Sequence, residues 1–398
     1  MANTLSVNDI SAVVNAVLTN AQGGSATANT SDFTTIAQIA LQQGYDPLTT
    51  AISQVTSRTI FSQRSYNAQF KGLYKDAVAY GNHIRKLNMI DKPVEADRRL
   101  VNAAGTPYVD GDEADQYKIA KPEVLQTNFY GQQNYQKSLT IWSDQLDTAF
   151  SSPAEFGNFL TMIMSNANDQ LGQVREDLAR GAVVNLIGAT ATVGTVRHLL
   201  TEYNTATGLT LSATTVMLPE NFKAFMQWFF ATLKTTMDML KNRQYLNHVN
   251  PYVGGVKKLI RRHTPLEYQH CYMLGDFINK SETMALSNTF HEDYLKKMDY
   301  EIVDFWQKAD DIHAIDTTVS YLSAGSAETP SAIATAAYAN NNVIGIIFDD
   351  EAAGINLINQ RSAVTPFNAM GCYYNQFWHE TARWFNDNTE NAIVLALD

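Results

Sequence analysis

"SSPAEFGNFLTMIMSNANDQLGQVREDLARGAVVNLIGA", Ser151 to Ala189, is the stretch whose reading decides the fold. Phe156, Leu160, Ile163, Ala167, Leu171, Val174 and Leu178 recur in it at steps of three and four, which brings them onto one face of a helix. Ser152 can cap the start, and Pro153 suits the first turn, where its missing N–H has no helical partner to lose. About 35 residues at 1.5 Å each predict a helix roughly 50 Å long, which is long for a small domain.

Downstream, Pro219 to about Lys241 repeats the period with Phe222, Phe225, Met226, Phe229, Phe230, Met237 and Met239, an aromatic and methionine stripe read as core. Upstream, Leu73 to about Leu146 is strand-like, with a turn-rich middle, "GTPYVDGDEADQYK". It reads as an outgoing strand, an exposed loop and a returning strand. Farther upstream, Ser6–Leu18 reads as a short amphipathic helix and "TNAQGGSATANTSD" as a small-residue linker, so the first thirty residues look like an arm; helical patterns follow over Asp32–Gln43 and Pro47–Thr56. Toward the C-terminus, "SYLSAGSAETPSAIATAAYANNN" (320–342) reads as a surface loop or divider. After it come a strand at Val343–Phe348, the aromatic segment "CYYNQFWHETARWF" and a final strand, "NAIVLAL".

Composition narrows the function. The chain has 398 residues, 45% of them apolar, enough for a large core. Charged residues make up 17% against a usual quarter or so, which leaves much of the polar surface to amides and hydroxyls and suits broad contact surfaces. A net charge of −11 opposes specific nucleic-acid reading, which relies on clustered Lys and Arg. Cys271 and Cys372, far apart in sequence, read as buried reduced thiols in a reducing compartment. No apolar run approaches the length of a membrane span, and the N-terminus carries no export signal, so a soluble protein with no membrane partner is expected.

Four constellations invite chemistry. Asp349, Asp350 and Glu351 follow the strand at Val343 and could hold Mg²⁺ or Ca²⁺, yet neighbours on an extended chain point to opposite faces and do not converge on one ion. "HETAR" at His379 has Arg383 where a zinc helix needs its second His; Trp378, Ala382 and Phe385 instead share a helical face, with Glu380 and Arg383 as a surface pair. "HTPLEYQHC" puts His263, His270 and Cys271 within nine residues, without the spacing of a zinc finger, and His263 reads as a turn residue. "GVKKLIRRH" gathers Lys257, Lys258, Arg261 and Arg262 into the chain's only basic run, read as a solvated or inter-subunit face. Phosphate-loop, dinucleotide and serine-hydrolase motifs do not occur. The expected catalytic, cofactor-binding and metal residues are none.

The order of arm, strand-loop-strand excursion, very long helix, mixed domain and return strand resembles the major capsid protein of tailed bacteriophages with the Hong Kong 97 fold. "SRTIFSQRSYNAQFKGLYKDAVAYGNHIRKL", "NFYGQQNYQKSLTIWSDQLDTAFSSPAEFGNFLTMI", "TPLEYQHCYMLGDFINKSETMALSNTF" and "YYNQFWHETARWFNDNTENAIVLAL" are similar to segments of capsid proteins from small phi29-like podoviruses and related gut phages. The resemblance covers about Ala51 to Asp398.

It implies an α+β capsid fold: an N-terminal arm at 1–50, the start of a peripheral domain at 51–77 and an extended loop at 78–142. The peripheral domain with its spine helix follows at 143–190, an axial domain at 191–340, and a C-terminal return to the peripheral domain at 341–398. Val343–Phe348 would then be a peripheral-domain strand whose carboxylates cap its wet end. The implied function is self-assembly as hexamers and pentamers into the icosahedral head around double-stranded DNA, in the bacterial host cytoplasm. Implied partners are further copies, a portal, scaffold or decoration proteins, and packaged DNA by non-specific contact. The rival readings are a portal or tail-tube subunit and a metal-dependent hydrolase using Asp349 and Asp350.

Overall fold

The computed structural model describes residues 70–75, 84–92, 94, 97, 99–102, 105–112, 117, 121–145, 153–285 and 300–398. The expected arm and the helices at 6–18, 32–43 and 47–56 lie outside these residues. In chain order the strands are β1 (Tyr74–Lys75), β2 (Ile84–Met89), β3 (Val124–Phe129), β4 (Gly131–Trp142), β5 (Val196–His198), β6 (Tyr252–Val253), β7 (Val256–Lys257), β8 (Gln269–Leu274), β9 (Glu301–Val303), β10 (Ile315–Leu322), β11 (Ile333–Asn340), β12 (Val343–Asp349), β13 (Ala353–Val364), β14 (Tyr373–Asn386) and β15 (Ala392–Ala396). The helices are α1 (Pro153–Thr192), α2 (Leu199–Thr207), α3 (Ala213–Val216), α4 (Pro219–Leu240) and α5 (Gly275–Ala285).

Two compact units divide the described residues. One draws on 70–75, 131–181 and 355–384, the other on 84–130, 182–354 and 385–398. Helix α1 runs 40 residues, about 60 Å, and contributes to both. Ile163, Ala167 and Leu171 lie buried along it at the expected four-residue step. It stops where Gly194 takes a left-handed φ of +85° and the Thr195 N–H reaches back to the Thr190 carbonyl.

In the first unit, a four-stranded sheet runs in the order β1, β13, β14, β4. Strands β14 and β4 pair antiparallel from Tyr373 opposite Trp142 to Trp384 opposite Gly131. "HETAR" therefore lies in a strand, not a helix. Period 2 puts Trp378, Glu380 and Ala382 on the buried face, so the expected face of Trp378, Ala382 and Phe385 and the pairing of Glu380 with Arg383 do not form.

In the second unit, a five-stranded sheet runs β5, β15, β12, β8, β9. All of β12 and β15 are buried, as befits continuous apolar runs. Against this sheet pack Leu200 and Tyr203 of α2 and Phe222, Phe225, Phe229 and Leu233 of α4, with Phe277 of α5. The Phe229 and Phe277 rings meet edge-on at 5.4 Å, a preferred geometry for aromatic pairs. Strand β12 thus joins residues 269–274 and 392–396, and the segment 341–398, expected as one return element, divides between the two units.

The Ser/Ala/Thr-rich stretch expected as a loop is half strand. Strand β11 pairs with β10 from Ile315 opposite Asn340 to Leu322 opposite Ile333, leaving a connection at 323–332. Small residues carry little strand preference of their own, and tertiary packing decides here. A Cβ on Gly188 of α1 would stand 2.5 Å from Val319 of β10, so glycine lets this hairpin seat on the helix. Asn185 fixes its register by accepting from Ser320 N–H and donating to the Ser320 carbonyl. Strands β2 and β3 form a separate antiparallel ribbon, Ile84 opposite Phe129 to Met89 opposite Val124, which matches the expected outgoing and returning strands.

Candidate functional site

The three carboxylates after β12 go to three different partners. Asp349 is buried, accepts from the Thr264 hydroxyl at 2.6 Å and caps the turn through Glu351 N–H at 2.9 Å. Asp349 therefore does not sit at a wet strand end, whereas Glu351, with its side chain 69% exposed, does. Asp350 meets His270 Nε2 at 2.7 Å, and Glu351 meets Lys86 at 3.2 Å. Divergent side chains cannot share one cation, and among the described residues no group of three His, Cys, Asp or Glu is placed to hold a metal.

The histidines and cysteine of "HTPLEYQHC" are likewise separated. His263 is exposed outside any strand, while His270 and Cys271 are successive residues of β8 and face opposite sides of the sheet. Cys271 is buried, and burial pushes its thiol up to about 12. Cys372 is exposed, contrary to expectation, because it sits in the turn before β14 with φ +52°.

The basic run is not one face. Lys257 is exposed, but Lys258 pairs with Glu123 at 2.7 Å and Arg261 stacks on Tyr245 at 4.8 Å. Arg262 turns inward to Glu390 at 2.7 Å.

That last contact belongs to a buried cluster invisible in the sequence. Lys86 of β2 lies 2.5 Å from Glu390, 3.1 Å from Asp387 and 3.2 Å from Glu351. The Thr389 N–H and hydroxyl hold the other Asp387 oxygen. Burial dominates at Glu390 and pushes its carboxyl up to about 7, although Lys86 and Arg262 pull the other way. Lys86 anchors the β2–β3 ribbon here, helped by Asp91 with Arg243 at 2.6 Å and by the Phe129 and Phe385 rings at 5.6 Å.

In the first unit, buried Glu380 receives the Arg175 guanidinium of α1, the Tyr135 hydroxyl at 2.5 Å and the Gln360 amide at 3.2 Å. Burial first, then Glu380, keeps the Tyr135 hydroxyl protonated far above its ordinary range. Along this sheet lies an open groove of about 630 Å³, lined by Gln132, Asn134, Tyr135, Gln136, Arg361, His379, Glu380 and Thr381. Sequence reading missed Lys86, Arg175, Arg361, Asp387 and Glu390; only the alternation in "YYNQFWHETARWF" could have pointed to the strand that sorts Glu380 from His379.

Among the described residues no constellation builds a reactive centre; what they offer is extended surface. The chain is similar to the "Capsid structure of Staphylococcus phage Andhra", at 11% identity and TM-score 0.53 over 84% of this chain and 86% of that one. It is also similar to a chain of bacteriophage P68, at 12% identity and TM-score 0.49 over 83% and 84%. A further likeness is to the mature capsid of bacteriophage PhiM1, at 11% identity and TM-score 0.42 over 84% and 88%. No curated protein matches. Residues 10–396 match the model of the Phi29-like phage major capsid protein family, and the chain belongs to that family. It is a capsid shell subunit, a structural virion component and not an enzyme.

Proposed function

We propose that copies of this chain assemble as hexamers and pentamers into a closed icosahedral head around double-stranded DNA, inside the bacterial host cytoplasm, with the β2–β3 ribbon reaching onto a neighbouring copy. In this reading 78–142 are the extended loop, 143–190 carry the spine helix, and 191–340 are axial. A portal and scaffold or decoration proteins join the shell, and the acidic chain meets DNA only non-specifically.

One observation carries the reading. The ribbon and the segment it carries present Leu87, Met89, Val94, Leu100, Val109, Tyr117 and Val124 to solvent, with Val94 and Tyr117 100% and 82% exposed. A two-stranded ribbon is marginal by itself, and exposed apolar surface of this extent marks an interaction face. Negative-stain electron microscopy of the protein, with and without candidate scaffold, should show closed shells or discrete hexamers and pentamers. Rings of one fixed size would replace this reading with a portal or tube, and persistent monomers at high concentration would end it.

A further inference from the structure

The hairpin of β10 and β11 has one closed edge and one open edge. The Ser323 N–H donates to the Ala332 carbonyl at 2.9 Å, which sets the alternation of the ladder. Thr317, Val319 and Tyr321 then exchange bonds with Tyr338, Ala336 and Ala334, while Asp316, Thr318, Ser320 and Leu322 point their N–H and C=O groups away from β11. Three of these four residues meet a side-chain amide that takes both groups. Gln307 accepts from the Asp316 N–H at 2.7 Å and donates to its carbonyl at 2.9 Å. Asn185 of α1 does the same for Ser320, at 2.9 and 3.3 Å, and Asn388 for Leu322, at 3.3 and 2.8 Å. Each amide stands where a further strand would bind, so β10 is closed to strand addition.

On β11 the same alternation turns the N–H and C=O groups of Ile333, Thr335, Ala337 and Ala339 outward. All four residues are exposed, and among the described residues nothing bonds these groups. The devices that usually blunt an edge are missing. Strand β11 contains no Pro and pairs with β10 in unbroken register, and no charged residue occurs from Thr329 to Phe348. The fold closes one edge of the hairpin three times over and leaves the other bare.

The bare edge is complementary to itself. Laid antiparallel about a two-fold axis at Ala336, two copies place Ile333 opposite Ala339 and Thr335 opposite Ala337, so every outward N–H and C=O finds a partner. Neither strand brings a charge to repel its copy, and Ile333, 72% exposed, is covered beside Ala339. Two ribbons of two strands, each marginal alone, become one sheet of four. A shell subunit has copies of itself as neighbours, and this edge fits one.

We propose that β11 is a strand-addition site for the β11 of a second copy, paired antiparallel in this register. The contact is isologous and does not depend on the ribbon's reach onto a neighbour.

Cysteine mixing tests contact and register together. In a Cys372→Ser background, Thr335→Cys mixed with Ala337→Cys should form a disulfide-linked pair under oxidised glutathione, because opposite residues lie about 5.5 Å apart. Either variant alone should give about a tenth of that yield, since its cysteines then sit diagonally, about 7–8 Å apart. Thr335→Lys with Ala337→Lys sets like charges opposite each other and should lower the fraction of protein sedimenting as pairs or larger assemblies about tenfold. The thermal melt of the single chain should stay put, because both side chains are exposed. Amide hydrogen exchange at Thr335, Ala337 and Ala339 should slow about tenfold on association. Equal yields from mixed and unmixed cysteine variants overturn the proposal. Slow exchange at these amides in the unassociated chain also overturns it, since another part of the same chain then covers the edge. Normal shells from the lysine variant overturn the contact and leave the shell reading intact, whereas a native chain that never associates overturns both.

Discussion

The two sheets use the same polypeptide chemistry for opposite ends. Strand β12 buries every residue from Val343 to Asp349, whereas β14 alternates buried Tyr374, Gln376, Trp378, Glu380 and Ala382 with more exposed neighbours. A sheet covered on both faces spends its side chains on cohesion; one open on a face keeps half of them for contact. The comparison says where a shell subunit can tolerate change. Substitutions in the five-stranded sheet and its helices should act on the fold, and those on the outer face of the four-stranded sheet should act on assembly.

The hardest blow falls on the closed side. Phe229→Ala empties the space between Phe225 and Phe277 and should cost about 3–5 kcal/mol by urea unfolding, enough to remove most of a domain's margin. A loss below about 1 kcal/mol would show that α4 is loosely seated. Next comes Arg175→Met on the buried face of the open sheet. It strands Glu380, 3% exposed, without its cation, at about 3 kcal/mol. Glu380→Gln added to it should restore a good part of the loss, since the uncompensated charge is then gone; no restoration would mean that packing of the guanidinium mattered more.

How far the sequence reached follows the same division. Long periodic segments were legible: α1 and α4 came from their three-and-four spacing, and the ribbon from a turn-rich stretch between alternating ones. "VIGIIFDDE" was readable as a strand, and β12 spans Val343–Asp349. Two features were not legible. Short segments such as "HETAR" and "IATAAYAN" have patterns too weak to choose between helix and strand until a neighbouring strand pairs with them. The buried charges also escaped, because Lys86 meets Glu351, Asp387 and Glu390 across some three hundred residues. Burial turns an ordinary surface residue type into a structural one, and only the fold sets burial.

A smaller effect appears as pH dependence. Glu390 has its folded value raised from 4.5 to about 7, so between these values the folded chain holds a proton that the unfolded chain has released. Stability is therefore greatest on the acid side of this window and falls as pH rises from about 5 to about 8, by on the order of 3 kcal/mol. Protonation also balances the cluster, leaving Lys86 and Arg262 against Asp387 and Glu351. Urea melts across that range should show the slope, and Glu390→Gln should flatten it. An unchanged slope in the variant would assign the pH dependence to other groups.

The finest test lies in two adjacent residues of β4. Tyr135 and Gln136 share one stretch of backbone but face opposite sides: Tyr135 is half-buried and donates to Glu380 at 2.5 Å, and Gln136 is exposed opposite His379. Tyr135→Phe keeps the ring and removes a bond to a buried carboxylate, so unfolding should become easier by about 1.5 kcal/mol. Gln136→Ala removes a larger group, yet its contacts are to solvent, and stability should stay within about 0.5 kcal/mol. If the smaller deletion is the costlier one, orientation and not side-chain size governs stability in this strand. If Gln136→Ala costs as much as Tyr135→Phe, the outer face is part of the fold's own packing, and the separation of cohesion from contact fails at the strand where it is drawn most sharply.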